Sequence, residues 1–164
     1  MTEQEYNICV DEYSDGVFRF IVKNLRDEED AKDIVQIAFE KLWMNKHNVA
    51  SEKAKSYLFT VAYHQMIDHI RKEKRNHTLD QFHESDLVSQ PSTNNELKQI
   101  LLKAINELNP TQKSLVLLKD YEGYSYLEIG EIMNLSESQV KVYLHRARLF
   151  LKTRLMENEK VNQS

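Results

Sequence analysis

Two helix-start signatures stand eleven positions apart near the C-terminal end of this 164-residue chain. Ser125 is followed three residues later by Glu128, and Ser136 three residues later by Gln139. In each pair the serine hydroxyl can accept from the backbone N–H of the third residue, while the Glu or Gln side chain reaches back to the serine N–H. Each pair therefore opens a helix: "YLEIGEIM" after Ser125 and a longer one after Ser136. Only "NLS" remains between them as a turn. Two short helices joined so tightly must cross steeply, which is the helix-turn-helix arrangement.

The rest of the chain is equally short of strand signals. It holds 3 Gly and 2 Pro, too few for a succession of short strands and turns. Residues 6–25 read as a largely buried helix with a bend expected near Gly16. Asp27 caps a second helix, "EEDAKDIVQIAFEKLWMN", whose acids lie in the first turn where the helix dipole favours them. Ala31, Ile34, Val35, Ala38, Phe39 and Leu42 form its apolar face, and Asp33, Gln36 and Glu40 a separate polar stripe. Residues 46–55 read as a loop. A third helix, Ser56 to Arg75, buries Phe59, Ala62, Met66 and Ile70 and ends in the cluster Arg71, Lys72, Lys74 and Arg75. Residues 76–95 are polar, acidic and aperiodic, as a linker would be. Helical spacing resumes at Glu96, and Asn109-Pro110 supplies an N-cap with proline at the first helical position; Gly123 ends that helix. The expected fold class is all-α: two small helical domains joined by a flexible linker, the C-terminal one a helix-turn-helix.

The helix after Ser136 has two characters. Val140, Leu144, Ala147, Leu151 and Leu155 step by four, three, four and four, and form one buried stripe. The whole chain carries a net charge of -4, yet residues 135–155 hold Lys141, Arg146, Arg148, Lys152 and Arg154 against the single acid Glu137. A local excess of cations is what a nearby polyanion feels, because salt screens distant charges. The second helix of a helix-turn-helix lies in the major groove, where Lys and Arg meet phosphates or the acceptor edge of guanine.

Other functions find little support. Cys9 stands alone, which excludes an internal disulfide framework and a cysteine-rich zinc site. No HExxH motif and no glycine-rich phosphate loop is present, and no nucleophile has an evident base, although His64, Asp68 and His69 lie close on one helix. An enzyme, a cofactor and a bound metal are therefore not expected. No apolar run reaches the roughly 18 residues of a membrane span, so a protein that is not inserted in a membrane, in a reducing cytoplasm, is the expectation.

With these residues in view, a family resemblance appears. "LNPTQKSLVLLKDYEGYSYLEIGEIMNLSESQVKVYLHRARLFLKTRL" closely resembles region 4, the promoter-binding C-terminal region, of bacterial extracytoplasmic-function sigma factors. "DEEDAKDIVQIAFEKLWMN" resembles the region 2 helix that docks on the polymerase clamp. "SYLFTVAYHQMIDHIRKEKR" resembles the region 2 helix for the −10 promoter element. The motifs occur in family order across nearly the whole chain. The resemblance implies region 2 over residues 1–75, an acidic linker over 76–95 and region 4 over 96–164. It implies a non-catalytic protein that binds core RNA polymerase and promoter DNA, with a possible anti-sigma factor as regulator. Asp33, Gln36, Ile37 and Glu40 would face the polymerase. Tyr57, Tyr63, His64, Arg71, Lys72, Lys74 and Arg75 would engage the separated −10 strand, where aromatic faces suit unstacked bases and cations suit phosphates. Ser136, Gln139, Lys141, Val142, Tyr143, His145, Arg146 and Arg148 would meet the −35 element. Trp43 and Phe59 are assigned to the core, Tyr63 to core or strand, and Leu149-Phe150 to the domain interior or the polymerase. The chain departs from the family at Tyr57, where Trp is frequent, at Tyr63-His64, where Arg-Asn is frequent, and at Val142-Tyr143, where Ser-Arg is frequent. Base preference is the property those departures affect. The rival reading is a stand-alone helix-turn-helix regulator, which would need its own dimer interface or receiver domain.

Overall fold

A computed structural model describes residues 1–76 and 96–162, with side chains as far as Asn158. Among the described residues there are seven α-helices and no strand: α1 (Glu3–Leu25), α2 (Glu28–Met44), α3 (Ala54–Asn76), α4 (Glu96–Glu107), α5 (Pro110–Val116), α6 (Tyr126–Met133) and α7 (Glu137–Asn162). The linker expected at 76–95 lies outside the described residues except for Asn76, which ends α3.

Local chemistry explains most boundaries. α1 starts earlier than its apolar spacing suggests, because Thr2 and Glu5 form a capping box in which each side chain accepts from the other's backbone N–H at 3.1 Å. The helix runs through Gly16 as one element and ends where Arg26 adopts the left-handed conformation, φ 59°, and donates its N–H to Val22 O. Asp27 accepts from Asp30 N at 3.1 Å and starts α2 as expected. Part of the expected loop at 46–55 is helical: a 3₁₀ turn over Ser51–Lys53 leads directly into α3 at Ala54. Asn109 accepts from Gln112 N at 2.8 Å to open α5. That helix continues as a π-type turn, Leu117–Tyr121, before Gly123 turns the chain with φ 77°.

Each half has its own interior. Val17, Phe20 and Ile21 of α1 meet Ala31, Ile34, Ala38 and Leu42 of α2 and Leu58, Phe59, Ala62 and Met66 of α3. In the other half, Leu115 and Leu118 pack with Ile129, Ile132 and the α7 stripe Val140, Leu144, Ala147 and Leu151.

The halves also pack on each other, which the sequence pattern does not announce. α3 lies against α6, and α1 against α5, so that one apolar core runs through both. Polar bridges edge the seam. Arg19 Nη2 reaches Glu122 Oε1 at 3.0 Å, Lys55 pairs with Glu128, and Ser56 Oγ donates to Glu131 at 3.2 Å. Phe59 and Tyr124 meet edge to face at 5.1 Å. Lys113 of α5 is 6% exposed and donates from Nζ to Asn24 O at 2.9 Å. That carbonyl belongs to the last turn of α1, where no intrahelical donor remains; the lysine caps the helix from 89 positions away.

Burial pushes the Lys113 ammonium down to about 8, with the Arg26 charge acting in the same direction. Since the folded value lies below the ordinary 10.5, the unfolded chain holds this proton more tightly. The group therefore opposes folding below pH 8 and ceases to do so between about pH 8 and 10.5. Relative to Lys113→Met, the native chain should gain on the order of 3 kcal/mol across that window. Urea denaturation of both proteins at pH 7 and at pH 10 measures it; parallel pH profiles would refute it.

Candidate nucleic-acid and polymerase interface

Both capping boxes of the helix-turn-helix form as the sequence indicates. Ser125 Oγ accepts from Glu128 N at 3.1 Å, and Glu128 Oε1 accepts from Ser125 N at 3.1 Å. Ser136 Oγ accepts from Gln139 N at 3.1 Å, and Gln139 Oε1 accepts from Ser136 N at 2.9 Å. Between them Asn134 takes the left-handed conformation, φ 56°, and Leu135 donates its N–H to Gly130 O at 2.9 Å. The turn passes so close that a Cβ on Gly130 would lie 2.6 Å from Leu135 O.

This scaffold fixes how α7 presents its side chains. With Val140, Leu144, Ala147 and Leu151 buried, Gln139, Lys141, Val142, His145 and Arg146 are exposed along the first turns. Val142 is 46% exposed, a large apolar group offered to solvent beside cations. A β-branched side chain of this kind suits the methyl group of thymine. The expected residues are not all equally available. Arg148 forms a two-pronged pair with Asp120, Nη2 to Oδ1 at 2.5 Å and Nε to Oδ2 at 3.2 Å, and this hydrogen bonding raises its pKa. Arg148 thus braces α7 against the end of the π-type turn. Tyr143 is half-buried against the core, with the Arg146 guanidinium 6.0 Å from its ring centre. Lys141 pairs with Glu137 one turn earlier at 3.6 Å, an exposed contact worth a few tenths of a kcal/mol. Ser136 and Gln139 spend their oxygens on the helix start; the Gln139 amide hydrogens are not used by that box. Of the pair left open, Phe150 packs against the core, whereas Leu149 is 54% exposed.

On α3 the candidates divide. His64, Arg71, Lys72, Lys74 and Arg75 are exposed. Tyr57 is half-buried, its hydroxyl donating to Lys41 O at 3.3 Å and accepting from Asn45 Nδ2 at 3.0 Å. Tyr63 is 8% exposed. Burial raises its pKa, and a hydrogen bond to Thr111 of α5 acts against that rise. Phe59 is buried as expected.

On α2, Asp33, Gln36 and Glu40 are exposed on one stripe, Ile37 is half-buried beside them, and Gln36 Nε2 donates to Glu40 Oε1 at 3.1 Å. Trp43 is 39% exposed and not a core residue. Leu42 takes the inward position, and the next residue is turned about 100° around the helix. The Trp43 ring instead meets Tyr6 edge to face at 4.9 Å and carries the Lys46 ammonium 3.2 Å above it. Met44, at 78% exposure, adds apolar surface beside it. Sequence spacing gave no notice of Trp43 and Met44 as surface; a count of inward positions on α2 could have shown that Leu42 already filled the slot.

The described residues include no group of three or more His, Cys, Asp or Glu side chains able to hold a metal ion. No helix among them is long and apolar enough to cross a membrane.

Comparison with known proteins decides the family. The sigma-70 region 2 model matches residues 9–76, and the sigma-70 region 4 model matches residues 98–151. The ECF RNA polymerase sigma factor SigM of Bacillus subtilis is 31% identical over 144 residues, covering 85% of this chain and 88% of its own. The chain belongs to the extracytoplasmic-function sigma factors of the sigma-70 family. SigW of the same organism is 27% identical over 163 residues, with 90% and 87% covered. The fold agrees with that of a sigma factor, RpoE, solved with the anti-sigma factor NepR from Bartonella quintana, at a TM-score of 0.78 and 22% identity over 93% of this chain and 98% of that one. This sigma factor accordingly serves RNA polymerase in promoter recognition, as a transcription initiation factor. A stand-alone helix-turn-helix regulator is not favoured, because residues 9–76 are accounted for by region 2.

Proposed function

We propose that this sigma factor divides its work between the two helical halves: region 2 over residues 1–75, an acidic linker over 76–95 and region 4 over 96–164. Asp33, Gln36, Ile37 and Glu40 form the polymerase contact, and their solvent-facing stripe on α2, continued by Trp43 and Met44, supports it. The −10 strand is held by α3, with Arg71, Lys72, Lys74 and Arg75 on its phosphates and His64 and Tyr57 toward its bases, while the buried Tyr63 supports the helix from within. The −35 element is read by α7 through Gln139, Lys141, Val142, His145 and Arg146. Ser136, Tyr143 and Arg148 hold that helix in place. The sigma factor acts in the bacterial cytoplasm, without a cofactor or a catalytic centre, and an anti-sigma factor controls it. The observation that carries this reading is the exposed basic face of α7 on a helix-turn-helix whose turn is pinned at Gly130.

Run-off transcription with purified core polymerase and genomic promoter fragments is the test. Initiation that depends on this protein is expected, and its absence with a competent cognate core would overturn the reading. Two sets of variants locate the work. Arg146→Ala should lower −35-dependent initiation by roughly 5- to 150-fold, the equivalent of about 1–3 kcal/mol for a base contact, while polymerase binding survives. Asp33→Ala with Gln36→Ala should do the reverse, weakening core-polymerase capture by about tenfold with an unchanged melting temperature. Loss of polymerase capture in Arg146→Ala, or full capture by the Asp33/Gln36 variant, would refute the assignment of the respective face.

A further inference from the structure

A cleft of about 580 Å³ opens where the end of α1, the start of α2, the last turns of α3 and the start of α5 converge. Apart from Lys74, none of its lining residues belongs to the polymerase or DNA surfaces assigned above. The one buried charge on its wall is Lys113, 6% exposed. Among the described residues no carboxylate pairs with this amine: its hydrogen bond goes to Asn24 O at 2.9 Å, and the charge acting on it is that of Arg26. An ammonium taken out of water without a counter-ion gives up its proton readily, and a free amine is a nucleophile.

The rest of the wall selects what such an amine can accept. Leu25, Ile70, Leu108 and Pro110 supply apolar surface. Asp27, Asp30 and Glu73 share the cleft, with Lys74 at the rim and His69 Nε2 paired to Asp30 Oδ2 at 3.1 Å. Three carboxylates disfavour an anionic adduct such as a carbamate. An imine would leave the nitrogen without hydrogen and strip the cap from Asn24 O. A neutral amide removes the buried charge and keeps one N–H for that carbonyl.

We propose that Lys113 is an acylation site, whose Nζ takes a small neutral acyl group from an acyl phosphate and seats it in the cleft. The free amine attacks the acyl carbon. The C–N bond forms, the C–O bond to phosphate breaks, phosphate leaves with the bonding pair, and the surplus nitrogen proton passes to solvent. Lys74 receives the phosphate end of the donor. The contact between α1 and α5 is then stronger at neutral pH, because no ammonium remains buried in it.

The test treats the full chain with acetyl phosphate and follows each lysine by mass spectrometry. With its value near 8, roughly half of Lys113 is free amine at pH 8, against under about 1% of an ordinary lysine. Lower basicity gives back about tenfold in intrinsic nucleophilicity. Lys113 should therefore react about tenfold faster than the exposed Lys72 and Lys152, and the advantage should vanish in urea and on raising the pH to about 10.5. Equal rates in the native chain, or an advantage that persists in urea, would overturn the site. A fast adduct that survives in Lys113→Arg would assign it to another lysine and refute the proposal. Acetyl-lysine installed at position 113 should raise the urea midpoint at pH 7 and raise it less at pH 10. An equal or lower midpoint at pH 7 would show that the cleft does not seat the acyl group.

Discussion

Alanine at Gly130 should collapse the helix-turn-helix. The added Cβ would sit 2.6 Å from the Leu135 carbonyl oxygen, a backbone atom. That atom has little room to retreat. The Leu135 N–H is bound to Gly130 O at 2.9 Å, Asn134 is already in the left-handed region, and the next helix start is pinned by Ser136 and Gln139. Overpacking against a rigid partner costs about 1–3 kcal/mol and more where backbone must move. We expect Gly130→Ala to lose about 3 kcal/mol in urea denaturation and to lose −35-dependent initiation. Gly16→Ala is the control. There the nearest atom is a Glu122 side-chain oxygen at 3.2 Å, and alanine is the better helix former by roughly 0.5–1 kcal/mol, so the net change should be small. Equal stability of the two variants would show that the turn is not held as described.

Phe59→Ala carries the other large effect. Its ring is fully buried, 5.7 Å from that of Phe20 in α1 and 5.1 Å from that of Tyr124 beyond the π-type turn. Truncation removes a ring that fills space in both halves, and the cavity lies where α1, α3 and the segment after the π-type turn meet. A loss of about 3–5 kcal/mol is expected, and a smaller one for Phe59→Leu, which keeps most of the apolar volume but loses the ring contacts. Chemical denaturation measures both. A loss near 1 kcal/mol for alanine would mean that the ring is not shared between the halves.

What the sequence discloses follows from how far apart the interacting residues are. Ser125 with Glu128, Ser136 with Gln139, Asp27 and Asn109 act within one helical turn, and each does so as its spacing indicates. The α7 stripe was legible because a helix that packs on one side repeats its apolar residues on that side. Thr2 and Glu5 carry the same signal, but it stands ahead of the apolar run that marks the helix. Trp43 misled because bulk and apolarity suggest burial, while the pitch of α2 gives the inward place to Leu42. The division of the α7 cations was not legible either: Arg148 and Arg146 look alike in sequence, and only the fold brings Asp120 to the former. Least legible is the seam. Asn24, Lys113, Arg19 and Glu122 meet across about half the chain, and no periodicity within either half signals them.

That α1 takes its C-terminal cap from α5 bears on how such proteins can be recombined. In this chain the end of one part is completed by a lysine of the other. A graft that joins residues 1–76 to a foreign region 4 would inherit an unfinished helix end at Asn24 and an Arg19 without its carboxylate. Hybrids of this sigma factor should therefore tolerate exchange best when Arg19, Asn24, Lys113 and Glu122 travel as a matched set, a compatibility rule written in the seam and not in either promoter-reading surface.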